Sequence, residues 1–242
     1  MNIALIGYGK MGKAVEEIAL KRGHSIVSIV NSETTINEAD FSIVDVAIEF
    51  TKPILALDHI DFCIQKNIPL VIGTTGWNEK LVDVTRDVLL QNGSLLHASN
   101  FSIGVNIFFE VNKQLAKLMS GHTNYTVSIE EIHHTEKLDS PSGTAISIAN
   151  GILENNSDYM SWVLGEGVAP HTAEGQFGVT SLREPHVPGT HTVQYHSDID
   201  TIKISHEAHN RKGFALGAVI AAEWLMDKKG IFTMNDILKM ND

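Results

Sequence analysis

Through its first hundred residues the chain alternates short apolar runs with segments whose apolar positions recur every three to four residues. The runs Asn2–Ile6, Ser25–Val30, Val44–Phe50, Leu70–Ile72 and Ser94–Ala98 predict strands. The segments running to Arg22, from Pro53 to Lys66 and from Asn78 to Gln91 carry a helical period, with Gly23 placed to end the first helix. Strands separated by helices predict a parallel, doubly wound sheet, in which ligands sit outside the carboxyl ends of the strands. Past residue 101 the pattern changes. Val105–Met119 predicts a long helix, and Tyr125–His133, Val179–Arg183, His191–His196 and Thr201–Ala208 predict strands of a mixed or antiparallel second sheet. Leu164–Gly178, rich in Gly, Pro and His, predicts a loop. Gly213–Asp227 returns to a helical period and is expected to pack back on the first domain. The fold class is therefore α/β: an N-terminal Rossmann-like doubly wound parallel sheet with an inserted α+β mixed-sheet domain. Residues 1–101 and 210–242 form the first domain and residues 102–209 the second.

The first strand runs straight into Gly7-Tyr8-Gly9-Lys10-Met11-Gly12 and then a helix. Strand, G-x-G-x-x-G, helix and strand follow one another at the spacing of a dinucleotide-binding βαβ unit. Gly7 allows the tight turn, Gly9 lets the backbone approach a pyrophosphate, and Gly12 lets helix and strand pack closely. The other strand-end turns, Phe50-Thr51, Gly73-Thr74-Thr75 and Ser99-Asn100-Phe101, fall where the same ligand would reach.

A second cluster lies in Glu131-Ile132-His133-His134-Thr135-Glu136-Lys137-Leu138-Asp139-Ser140-Pro141-Ser142-Gly143-Thr144. Imidazoles exchange protons near neutral pH, and a lysine ammonium stabilises developing negative charge. Ser140-Pro141 reads as an N-cap followed by proline at the first helical position, so Gly143 and Thr144 would present backbone N–H groups to an anion such as a carboxylate. Adjacent histidines on a strand face opposite ways, and no H-E-x-x-H or cysteine ligand set is present, so no metal is expected. Arg183 and Arg211 are candidates either for ion pairs or for a carboxylate partner. His206 and His209 read as structural.

Composition narrows the classes further. Over 242 residues the formal net charge is −11, which argues against nucleic-acid binding and requires a local basic cluster for any anionic ligand. The one cysteine, Cys63, sits in an apolar helical pattern and reads as buried. Met1-Asn2 leads straight into the first strand and no apolar run is long enough to span a membrane, so a reducing cytoplasm is the expected compartment.

With Glu49-Phe50-Thr51, Gly73-Thr74-Thr75-Gly76, Asn100-Phe101-Ser102 and Gly104-Val105-Asn106, these motifs resemble the dihydrodipicolinate reductase family of bacterial lysine biosynthesis from end to end. The Glu131–Ala145 signature is the most specific of them. The resemblance implies NADH- or NADPH-dependent reduction of a small cyclic dicarboxylate, dihydrodipicolinate, to tetrahydrodipicolinate. It makes His133 the proton donor or acceptor and Lys137 the second catalytic group. His134, Gly143 and Thr144 would bind the substrate. Gly7, Tyr8, Gly9, Lys10, Met11, Gly12, Asn31, Phe50, Thr51, Gly73, Thr74, Thr75, Ala98, Ser99, Asn100 and Phe101 would hold the cofactor. It also implies a homotetramer assembled through the second sheet. The chain departs from many relatives in a glycine turn one residue shorter, and in Asn31-Ser32 where an NAD site often carries an acid, so use of both cofactors is expected. A different imine dehydrogenase would leave Lys137 and Pro141–Thr144 unexplained, and a non-catalytic nucleotide sensor would leave the acid–base loop without a purpose.

Overall fold

The computed structural model describes residues 1–210 and 212–239; Arg211, a candidate carboxylate partner above, lies outside them. The chain divides into two compact units, one built from Met1–Ile103 and the C-terminal segment, the other from Gly104–Asn210.

The first unit begins with β1 (Asn2–Ile6), α1 (Lys10–Lys21), β2 (Ser25–Val30), β3 (Val46–Glu49), α2 (Pro53–Gln65), β4 (Leu70–Ile72), a 3₁₀ turn at Asn78–Lys80, α3 (Leu81–Leu90) and β5 (Ser94–His97). Next come α4 (Ile103–Met119), β6 (Thr126–His133), α5 (Gly143–Asn155), β7 (Ser161–Glu166), β8 (Gln176–Arg183), β9 (Thr190–His196) and β10 (Thr201–Glu207). The chain returns to the first unit with α6 (Lys212–Leu225), β11 (Gly230–Phe232) and α7 (Met234–Leu238).

Among the described residues the first sheet runs β11-β5-β4-β3-β1-β2, and its neighbours pair in parallel. Strand alternation divides β1 between two cores. Ile3 and Leu5 pack with Val15, Ala19 and the α6 residues Ala218, Val219 and Ala222. Ala4 and Ile6 pack on the other face with Ala56, Ile60 and Cys63 of α2 and Val84 and Val88 of α3. Cys63 is fully buried, and burial, then the charge of Glu49, pushes its thiol up to about 12, so it is inert. No helix among the described residues is long and apolar enough to cross a membrane.

The second unit is a mixed sheet in the order β10-β9-β6-β8-β7. Central β6 pairs antiparallel with β9 and parallel with β8. Along β6 the inward positions Val127, Ile129, Glu131 and His133 are buried. Val127 and Ile129 join Phe108 and Ala116 of α4 and Ala145, Ile148 and Ile152 of α5 in one core. Its apolar alternation therefore ends on a carboxylate and an imidazole.

Two expectations need correction here, and one strand was not expected. The stretch Leu164–Gly178 starts and ends in strands, because Leu164 pairs with Val179 across β7 and β8 and packs on the core; its glycine and proline content masks this. The helix expected over Gly213–Asp227 ends at Leu225. It is followed by β11, whose three residues are too few for a periodic signal but extend the first sheet beside β5.

Candidate active site

The turn after β1 is shaped by glycine. Gly7 has φ +98°, and a Cβ built on it would lie 2.1 Å from the Phe50 carbonyl oxygen. On Gly12 a Cβ would lie 2.2 Å from the Gly7 oxygen, whereas one on Gly9 meets nothing within 4 Å. Gly7 and Gly12 thus let the backbone close on itself, and Gly9, the N-cap of α1, opens onto free space at a helix N-terminus. A cavity of about 820 Å³ begins there, lined by Gly7, Tyr8, Gly9, Asn31, Phe50 and Thr51 of the expected residues. Sequence reasoning missed its far wall, where Ile36, Leu55 and Phe62 supply apolar surface and Asp58, His59 and Asp61 supply polar groups. Helix α2 carries most of these, and a helical segment two turns from a recognisable motif offers no local signal.

Buried polar contacts tie the strand-end turns together. The Thr51 N–H donates to Thr74 Oγ1 at 2.7 Å, and Trp77 Nε1 donates to the Thr74 carbonyl at 2.8 Å. Thr51 Oγ1 donates to the fully buried Glu49 carboxylate, which also faces His59 Nδ1 at 3.2 Å. The Phe50 ring covers Gly73 and meets Phe101 edge-on at 5.7 Å. Gly73, Thr74, Thr75, Ala98, Ser99, Asn100 and Phe101 lie along the carboxyl ends of β4 and β5 but outside the cavity lining, and Lys10, Met11 and Gly12 at the start of α1 are also outside it. Phe101 is a core side chain, 2% exposed. Asn31 reaches the cavity, yet its Oδ1 already accepts from the N–H groups of Glu33 and Thr34 at 2.8 and 2.9 Å.

In the second unit, β6 carries Glu131 and His133 on one face. Glu131 is fully buried, with His133 Nδ1 2.8 Å from its Oε2. Its Oε1 accepts from Ser181 Oγ at 2.5 Å, and from the Ser142 N–H and Arg183 Nη1, each at 3.2 Å. Register explains the cluster: Glu131 stands opposite Ser181 on β8 and opposite His191 on β9. Burial opposes ionisation of Glu131, but the bonds from His133, Ser142 and Ser181, with the charge of His133, hold it well below the usual carboxylate range. Glu131, Ser181 and His191 were missed as site residues, although the Glu-x-His spacing on a strand was itself a signal.

Helix α5 starts two residues later than expected. Its cap is Ser142, whose Oγ accepts from the Ala145 N–H at 3.1 Å, and not Ser140, which precedes Pro141 through a cis peptide. Gly143 and Thr144 are consequently the first two residues of α5, at the positive end of its dipole. His134, half-buried, follows the end of β6, and its carbonyl accepts from the Lys137 N–H at 3.1 Å. Lys137 Nζ is held by both oxygens of Asp139, at 2.7 and 2.8 Å. Arg183 joins the two parts, since its Nη2 donates to the Asp139 carbonyl at 2.7 Å while Nη1 reaches Glu131.

Glu131, His133 and His191 offer three ligand-type atoms within 4.8 Å of one another. The Arg183 guanidinium on the same carboxylate opposes a divalent cation there. Burial, then the charge on His133, pushes His191 down to about 3. An unfolded histidine takes up a proton near 6.5, so between those values the unfolded state binds the extra proton and stability falls as the pH is lowered. From about pH 7 to about pH 5 this one group is expected to remove about 2 kcal/mol. Thermal melts should show the loss, and His191→Gln should flatten that part of the curve; an unchanged slope would refute it.

Comparison with known proteins points to one family. Residues 1–101 match the family described as dihydrodipicolinate reductase, N-terminus, and residues 104–238 match its C-terminus. The chain is 49% identical over 238 residues to a 4-hydroxy-tetrahydrodipicolinate reductase of Christiangramia forsetii, covering 98% of each chain. It is 32% identical over 246 residues to one from Alkaliphilus oremlandii, covering 99% of each. A dipicolinate-bound dihydrodipicolinate reductase from Paenisporosarcina sp. TG-14 superposes with a TM-score of 0.72 at 24% identity, over 96% of this chain and 97% of that one, and shows the fold. Two matching halves in the right order, relatives matched end to end and a strand that closes on Glu-x-His-His converge: the chain belongs to the dihydrodipicolinate reductase family, as an NAD(P)H-dependent oxidoreductase.

Proposed function

We propose that the protein reduces 4-hydroxy-tetrahydrodipicolinate (dihydrodipicolinate) to tetrahydrodipicolinate. The observation that carries this is His133, set against a buried carboxylate and next in sequence to a lysine loop that feeds the start of α5. A reduced nicotinamide, when bound, supplies the hydride. The open backbone at Gly9 and the cavity beyond it fit the dinucleotide, with Gly7–Gly12, Asn31, Phe50 and Thr51 holding it. Gly143 and Thr144 bind one substrate carboxylate at the helix start, and His134 adds a polar contact. Lys137 leaves Asp139 to hold the negative charge that develops on the ring, and His133 delivers a proton to carbon. We further propose a cytoplasmic homotetramer assembled through the second sheet, whose edge strand β10 leaves Thr201, Lys203 and Ser205 exposed.

Both cofactors fit, but wall charge favours NADH. A 2′-phosphate would add about two negative charges to a lining that already carries Asp58 and Asp61. Lys52 is the one cationic side chain among the described lining residues. NADH oxidation should exceed NADPH oxidation in kcat/KM on the order of tenfold, a difference of about 1.4 kcal/mol. The test follows nicotinamide absorbance with substrate made in situ from pyruvate and aspartate semialdehyde by the preceding synthase. Equal rates would refute the charge argument, and cofactor binding without turnover would favour a sensor.

A further inference from the structure

We propose that Glu131 is a positioning residue that fixes Nε2 of His133 as the nitrogen that exchanges the proton; the inference rests on His133 being the proton donor. Glu131 and His133 are two residues apart on β6 and so share a face, which turns the carboxylate toward the ring. The carboxylate cannot swing away. Three donors, from Ser181 Oγ, the Ser142 backbone and Arg183, converge on its Oε1, so Oε2 is the oxygen left facing Nδ1, at 2.8 Å. The ring is also held from the side, because His191 packs edge-on against it at 5.0 Å while its own Nε2 lies 3.1 Å from Ser142 Oγ.

The opposite nitrogen is kept accessible by a glycine. A Cβ built on Gly189 would lie 2.9 Å from His133 Nε2 and 3.2 Å from its Cδ2. Any side chain there would crowd the atom that must approach substrate. Nδ1 therefore lies against the Glu131 carboxylate, short of an aligned hydrogen bond in this structure, and Nε2 is the nitrogen left for chemistry. In the proton step the Nε2–H bond breaks and a C–H bond forms from the electron pair of the reduced ring. The N–H pair stays on Nε2, leaving a neutral imidazole that keeps its Nδ1 proton on Glu131. Solvent then restores the Nε2 proton.

The three donors at Oε1 also dictate what Glu131→Gln does. They keep the amide oxygen on their side, so the new NH₂ group faces Nδ1. Nδ1 must then accept, and the neutral ring must carry its proton on Nε2. Histidine ¹⁵N spectra of the neutral ring should show His133 with Nδ1 protonated and Nε2 bare in the parent protein, and the reverse in Glu131→Gln. In the variant kcat should fall at least a hundredfold with cofactor affinity unchanged, a tautomer exchange that loss of packing would not produce. Gly189→Ala, which leaves the Glu131 pair intact, should lower kcat at least tenfold with the parent tautomer retained, and it serves if Glu131→Gln does not fold. A bare Nδ1 in the parent, or wild-type kcat in a folded Glu131→Gln, overturns the proposal. Wild-type kcat in His133→Gln instead overturns the reading of His133 as proton donor.

Discussion

His133→Ala is expected to turn over about 10²–10⁴-fold more slowly than the parent while binding NADH normally. This range is what a positioned general acid typically contributes, about 3–5 kcal/mol of barrier. The separation follows from the architecture, since the cavity at Gly9 belongs to the first unit and His133 to the second. Lys137→Ala should lose a comparable factor in kcat/KM but split it differently. The carboxylate that Lys137 holds at rest is that of Asp139, and the same ammonium can pair with a substrate carboxylate, so its loss should raise KM as well as lower kcat. Steady-state kinetics and cofactor fluorescence titration on the two variants separate these effects. A His133→Ala protein with near-parent kcat would remove the proton-donor role.

The second large effect is expected at Gly7. Gly7→Ala places a methyl group 2.1 Å from the Phe50 carbonyl in a backbone held at φ +98°. The positive φ and the clash each cost about 1–3 kcal/mol, so a loss of roughly 3 kcal/mol or more is expected. The damage should not stay local. Phe50 lines the cavity, and the adjacent Thr51 is fastened to Glu49 and Thr74, so displacing Phe50 disturbs the turns of three strands. Cofactor affinity should therefore fall along with the melting temperature. Gly9→Ala is the control, because its methyl enters open space and should leave stability nearly unchanged. Equal melting temperatures for Gly7→Ala and the parent would contradict this reading.

How much could be read from the chain alone depended on whether a feature was local. Five of the six described strands of the first sheet, β1 to β5, were legible because runs such as Ile3–Ile6 and Leu70–Ile72 are apolar and punctuated by Gly and Pro, and β2 and β4 occupy the expected residues. That a helix begins close behind His133 and Lys137 was legible because one short segment carries them all, but its first residue was not. Features assembled by register were not. Ser181 and His191 reach Glu131 only because β8 and β9 flank β6 in one particular alignment, and residues 50 to 60 positions apart leave no periodic trace. The cavity wall on α2 escaped for the same reason. The misplaced helix start reflects two serines competing within one short stretch. Ser140-Pro141 has the favoured composition, but Ser142 reaches both the Ala145 N–H and His191.

The order in which the chain is made gives the split first unit a further significance. A ribosome releases the N-terminus first, so β1 to β5 emerge long before α6, whose Ala215, Ala218, Val219, Ala222 and Leu225 cover Ile3, Leu5 and Ile48. The middle segment, by contrast, is contiguous from Gly104 to Asn210 and carries its own sheet and both of the helices that cover it. During synthesis the later-encoded half can thus close before the earlier one, and one apolar face of the nascent first sheet waits some hundred residues for its cover. That interval, rather than any weakness of the finished fold, is when a holdase would find the chain.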